Sequence, residues 1–156
     1  MEVFLWVLYC CDGDAIIQLN FGCGEKYLKD YINYDKEIEL EENLPFEDNT
    51  VDKIMLDNVV EHIHNQRQLL IECNRILKKN GFVDIYVPFF TGRIEHTKTY
   101  FPIHYFDDLC NLGSKNSNQN VNLFKKEKEY YCRYRNNFMF IFPFRNKQLY
   151  VKLKKL

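Results

Sequence analysis

No C-x-x-C pair occurs in this chain, and none of its six cysteines (Cys10, Cys11, Cys23, Cys73, Cys110, Cys132) stands with histidines at zinc-binding spacing. A zinc module is therefore excluded, and no metal site is expected. Without a secretion signal, the cysteines read as reduced thiols of a cytoplasmic protein. Long apolar runs are missing too. Val3 to Tyr9 is apolar for only seven residues, between Glu2 and the pair Asp12 and Asp14. A spanning helix needs about twenty apolar residues, and a signal peptide needs a basic start and a small-residue cleavage site. Neither a membrane segment nor a leader is expected, and the run reads as a buried strand or packing segment. Internal repeats are absent, so residues 1–156 read as a single domain.

What is present is an ordinary core-forming composition, 46% hydrophobic and 28% charged, with 16% aromatic residues concentrated towards the end. The net charge of −1 hides an asymmetry. Residues 1–124 carry 11 Lys+Arg against 20 Asp+Glu (−9), and residues 125–156 carry 10 against 2 (+8), which sum to the total. A basic tail on an acidic body can serve an anionic partner. It can equally be a sheet edge guarded by lysines, the commoner arrangement.

Hydrophobic periodicity places short strands at 15–20, 31–34, 51–56 and 82–87, the last closed by Pro88. The strongest helix signal is 66–79. Leu69, Leu70, Cys73, Ile76 and Leu77 form its apolar stripe, Asn65 is its N-cap, Lys78 and Lys79 suit its C-terminal dipole, and Gly81 stops it. A helix near 102–112 and a closing hairpin of 121–135 with 137–153, turning at Asn136-Asn137, follow. The fold class is α/β: a Rossmann-like doubly wound sheet, mostly parallel, with a C-terminal antiparallel hairpin.

The first strand runs into Gly22-Cys23-Gly24, a turn whose missing side chains let backbone N–H groups approach a ligand at the strand's carboxyl end. A dinucleotide fingerprint needs a further glycine three residues on, where this chain has Tyr27. That argues against NAD or FAD. Asp35 follows the second strand, where a carboxylate can accept from two ribose hydroxyls, or simply cap the strand end. Glu39-Leu40, Leu44-Pro45-Phe46 and the strand leading to Asp57 continue the series.

Taken in order, several segments resemble the class I S-adenosylmethionine-dependent methyltransferases, in their small type 11-like branch. They are Leu19-Asn20-Phe21-Gly22-Cys23-Gly24, Tyr31-Ile32-Asn33-Tyr34-Asp35, Leu44 to Ile54, Val60-Glu61-His62-Ile63, Glu72 to Gly81, and Val87-Pro88. The resemblance spans roughly residues 16–109. It implies S-adenosylmethionine as cofactor, with Gly22, Cys23 and Gly24 under its methionine moiety and Asn20 near its amino group. It further implies Asp35 at the ribose, Glu39 and Leu40 flanking the adenine, and Asp57 with Asn58 near the sulfonium. The chain departs from the family pattern at Asn20, often acidic there, and at Lys26, often a third glycine. The segment before the first strand is short, which points to a pocket that is open or closed by a partner chain, as in a homodimer.

Methyl transfer from a sulfonium is an in-line displacement, so proximity and orientation can supply several kcal/mol without an acid or base. A base matters only for a hydroxyl or protonated amine acceptor. His62 and His96 are the catalytic candidates, drawn from a set that includes His64, His104, Asp57 and Glu61. After the Asp57 strand comes Asn58-Val59-Val60 rather than Asn-Pro-Pro-aromatic, which disfavours a base-flipping DNA enzyme. The expected acceptor is a small molecule or sugar-containing metabolite. Two alternatives stand beside it. One is a binding protein that keeps the fold without turnover. The other is an RNA-directed methyltransferase using the basic hairpin, where Tyr130, Tyr131, Tyr134, Phe138, Phe140, Phe142 and Phe144 interleave with Lys and Arg. Their period-two spacing assigns most of them to the core instead.

Overall fold

The computed structural model describes residues 16–89, 101, 105–110, 123–133 and 147–156. His96, His104, the Asn136-Asn137 turn, the Phe138–Phe144 run and the opening segment 1–15 lie outside the described residues. Among the described residues, six strands form one sheet: β1 Gln18–Phe21, β2 Ile32–Tyr34, β3 Val51–Asp57, β4 Leu77–Phe89, β5 Phe124–Arg133 and β6 Lys147–Lys155. Their spatial order is β2-β1-β3-β4-β6-β5. The first four are parallel, while β6 runs antiparallel to β4 and β5 antiparallel to β6. This is the mixed, mostly parallel Rossmann-like sheet that the patterning predicts.

The chain leaves β1 for one neighbour, β2, and later fills the other side with β3. The strand order therefore reverses between β1 and β3, where open α/β sheets bind ligands outside the strands' carboxyl ends. Short apolar runs make the inner strands because both faces are covered: Leu19, Phe21, Val51, Ile54, Leu56, Val83, Ile85 and Val87 are buried. Asp84 is buried among them, satisfied by the Tyr150 hydroxyl at 2.7 Å and by Lys53 at 2.9 Å.

Helix α1, Gln66–Ile76, carries the chain from β3 to β4. Its N-cap is the predicted one, with Asn65 accepting from the Gln68 N–H, and Leu69, Leu70, Cys73 and Ile76 turn into the core. It ends three residues earlier than its sequence suggests, because the sheet takes the chain first. The N–H groups of Asn49 and Thr50 satisfy the carbonyls of Arg75 and Ile76 at 3.0 and 2.9 Å, and Leu77 pairs with Val51. Lys78 accordingly pairs with Asp52 (2.9 Å) instead of facing a helix end. Pro88 does not end β4. It lies beyond the last β3 pair, Asp57 with Tyr86, where its missing N–H costs nothing on that side.

Of the long segment after β4, the structure describes helix α2, Tyr105–Cys110, which falls inside the predicted 102–112. Tyr105 donates to the Gln66 side chain at 2.6 Å, tying α2 to the start of α1. Among the hairpin aromatics, Tyr130 is half-exposed rather than core. It still closes a ladder of rings, Tyr86–Tyr150–Tyr130, with centroids 4.8 Å apart at each step.

Candidate functional site

The Gly22-Cys23-Gly24 turn is shaped by backbone conformation. Gly22 and Gly24 both sit at positive φ (63° and 49°), the left-handed region that side chains disfavour. A Cβ on Gly22 would stand 2.5 Å from the Val59 side chain, so this glycine is also required by close packing. A Cβ on Gly24 would meet nothing within 4 Å: the turn opens there onto empty space. Cys23 between them is buried, and its N–H is held by the Tyr34 carbonyl at 3.0 Å. Burial, then the nearby Asp35 and Glu37 carboxylates, push its thiol above the usual range, so it is a neutral wall and not a nucleophile.

No helix fills the stretch between Gly22 and β2, and Asn33 holds it instead. Its Oδ1 accepts from Asn20 Nδ2 (2.7 Å) and Leu28 N (2.9 Å), while its Nδ2 donates to the carbonyls of Leu28 and Tyr31. Asn20 and Asn33 are register partners on β1 and β2, which is what brings them together. Asn20 spends its second amide contact on the Lys26 carbonyl at 3.0 Å. With Nδ2 committed inwards, its Oδ1 is the atom left to accept from a ligand.

At the carboxyl end of β3, Asp57 is held on both oxygens. Lys26 Nζ reaches Oδ2 at 3.0 Å, and Asn58 Nδ2 donates to Oδ1 at 2.8 Å. Asn58 takes a left-handed backbone (φ 57°) and is fixed by the Tyr86 carbonyl and the Gln148 amide. The chain then turns through a short 3-10 segment, Val60–His62. Glu61 is buried there, and its Oε2 has no hydrogen-bond partner among the described residues. Burial, with Asp57 adding and Lys26 opposing, raises its carboxyl to about 7.

These pieces enclose a cavity of about 260 Å³, lined by Asn20, Gly22, Cys23, Lys26, Leu28, Met55, Asp57 and Tyr86. It lies at the carboxyl ends of β1, β3 and β4, over the point where the strand order reverses. Whole ligand sites run to about 300–1,000 Å³, so this volume suits one end of a larger molecule. Four sequence-predicted residues meet in it: Asn20, Gly22, Cys23 and Asp57. Gly24 and Asp35 lie beside it, joined by a 3.3 Å hydrogen bond from Gly24 N to Asp35 Oδ1. Asn58 stands behind Asp57. Glu39 is exposed, and Leu40 is buried in the hydrophobic core. His62 is exposed and outside the cavity lining. Sequence reasoning missed Asn33, Met55 and Tyr86 as site residues and treated Lys26 only as a departure from pattern. The one legible signal was a polar Asn inside the apolar Ile32-Asn33-Tyr34 strand. Among the described residues, no group of His, Cys, Asp and Glu could hold a metal ion, and no helix is long and apolar enough to cross a membrane.

Comparison with known proteins agrees with this geometry. Residues 29–85 match the family described as methyltransferase domain, a stretch that begins after the glycine turn and runs into β4. A search of curated protein sequences finds no match. Among solved structures, a chain of the complex containing the Haloferax volcanii Trm112 methyltransferase activator superposes with a TM-score of 0.63 at 11% identity, over 99% of this chain and 88% of that one. An S-adenosylmethionine-dependent methyltransferase from Methanosarcina mazei gives 0.54 at 11%, over 81% and 66%. The [4+2]-cyclase SpnF gives 0.63 at 10%, over 92% and 76%. Such identities speak for the fold alone. Residues 29–85 are thus similar to a methyltransferase domain, and the chain shares the fold of these solved structures.

Proposed function

We propose that the cavity between β1, β3 and β4 holds the methionine end of S-adenosylmethionine, and that the chain transfers the methyl group to a small molecule or sugar-containing metabolite. The observation that carries this reading is the cradle itself: an open, left-handed Gly24, a buried Asn20 with its Oδ1 free to accept, and an acidic Asp57 facing them. Asn20 Oδ1 takes the ligand's ammonium, and the backbone of Gly22 to Gly24 passes beneath it. Asp35, already held by Gly24 N on one oxygen, serves the ribose. Glu39 and Leu40 belong to the adenine side, where Leu40 contributes through the core it anchors. Asp57, positioned by Asn58, supplies negative charge near the sulfonium. The cofactor, when bound, supplies an activated methyl group and a neutral thioether leaving group. An acceptor that must lose a proton would give it to His62 or to His96.

Equilibrium calorimetry with S-adenosylhomocysteine tests the reading. Binding in the micromolar range, weakened at least tenfold by a side chain at Gly24 (G24V), is the expected result. No detectable binding of either cofactor form would remove the enzyme and leave the inactive binding protein. Replacing His62 by Ala tests the base: a tenfold loss of kcat assigns it, and an unchanged kcat removes it. The RNA-directed reading draws less support, because the described basic side chains are largely engaged within the fold. Lys126 pairs with Asp107 and Glu129, Lys155 bonds Asn49 and the Leu77 carbonyl, and Lys152 lies 3.9 Å over the Phe82 ring.

A further inference from the structure

Lys26 is the single cation among the described residues lining the cavity, and it stands where the family pattern often has glycine. Its backbone is fixed at both ends, the N–H on the Cys23 carbonyl at 2.7 Å and the carbonyl on Asn20 Nδ2 at 3.0 Å. Its side chain is half-exposed and spans to Asp57 on the opposite wall. An ion pair so open to water contributes little, about 0–1 kcal/mol, so its partner can be exchanged at small cost. A ligand with an amino-acid end brings both charges needed for that exchange. Its carboxylate would otherwise meet Asp57 in a partly dehydrated space, with no positive group among the other described lining residues to offset it. Its own positive charge can replace Lys26 beside Asp57.

We propose that Lys26 is a specificity residue for the carboxylate of the cofactor's amino-acid end: on binding, its ammonium leaves Asp57 and pairs with that carboxylate. The assignment rests on the cofactor reading of the cavity. It makes Lys26 a partner-switching side chain, hinged on a backbone that the Asn20 amide holds still. Asp57, kept in place by Asn58 Nδ2, is uncovered towards the cationic part of the ligand in the same exchange.

The test compares S-adenosylhomocysteine with S-adenosyl-3-thiopropylamine, which differs only in lacking the carboxylate, by calorimetry on the wild-type chain and on K26M. Wild type should bind the carboxylate-bearing ligand at least tenfold more tightly, K26M should bind the two within threefold, and K26R should keep most of the preference. A K26M protein that retains the wild-type ratio overturns the proposal. So does a wild type that binds both ligands equally, a comparison that needs no variant. If circular dichroism shows K26M misfolded, K26Q repeats the measurement with the same expected loss of preference. A wild type that binds neither ligand defeats the cofactor reading of the cavity and this inference with it. Binding without preference defeats the inference alone.

Discussion

Glu61 is the residue with most at stake beneath the cavity. Its carboxyl is buried, one oxygen has no partner among the described residues, and the charged groups that act on it are Asp57 and Lys26. Folding raises its pKa from 4.5 to about 7, so the folded chain holds a proton that the unfolded chain releases. The folded state therefore binds more protons between those values, and stability falls as pH rises from about 4.5 to 7. The loss is roughly 3 kcal/mol by linkage. Substituting Glu61→Gln should leave stability at pH 5 nearly unchanged and raise it at pH 8 by an amount of that order. Denaturant melts at the two pH values check this, and parallel pH profiles for both proteins would refute it. Asn33 supports its surroundings differently, through four hydrogen bonds from one side chain. Asn33→Ala should cost about 2 kcal/mol and loosen the loop that carries Lys26, weakening S-adenosylhomocysteine binding as well.

At the scale of elements, α1 shows how a helix is bounded by its neighbours. Asn65→Ala should cost about 1 kcal/mol, since it removes the cap on Gln68 N and little else. Arg75 has a larger task. Its guanidinium meets Glu72, Asp48 and the carbonyls of Phe46 and Leu44, clamping the 44–48 loop that leads into β3. A planar fork makes those contacts, and an ammonium cannot make them all at once. Arg75→Lys should therefore lower the thermal midpoint despite the retained charge, by an amount corresponding to about 1–3 kcal/mol. Calorimetric scans settle this, and a midpoint within a degree of wild type would argue that the clamp is dispensable. The stripe from Leu69 to Ile76 was legible from periodicity alone. The end of the helix was not, because Asn49 and Thr50, which complete its last carbonyls, lie more than twenty residues away in sequence.

Across the whole molecule, β5 is an outer strand of the described sheet, and its exposed Lys125 and Lys128 suit a guarded sheet edge. The +8 tail meets the −9 body where Lys126 pairs with Asp107, while Lys155 bonds the neutral Asn49 side chain and the Leu77 carbonyl. We expect mixed RNA to show no measurable association at physiological salt in filter binding. Micromolar binding that falls steeply with salt would restore an RNA-directed role. The aromatic ladder across β4, β6 and β5 gives the same hairpin a second task, since Tyr86 at its inner end is a wall of the cavity.

The amino-acid sequence by itself determined the α/β class, the strand positions, the glycine turn with its neighbours Asn20, Asp35 and Asp57, and the likeness to a methyltransferase domain. Those features rest on periodicity, and on side chains whose absence is itself the signal. The tertiary structure alone decided that Asn20 and Asn33 pair across two strands, that Lys26 reaches Asp57, and that Glu61 is buried with no partner for one oxygen among the described residues. It also set where α1 ends, and moved Leu40 into the core. Each of these depends on strand register and on burial, which arise between segments distant in the chain. No local pattern encodes them.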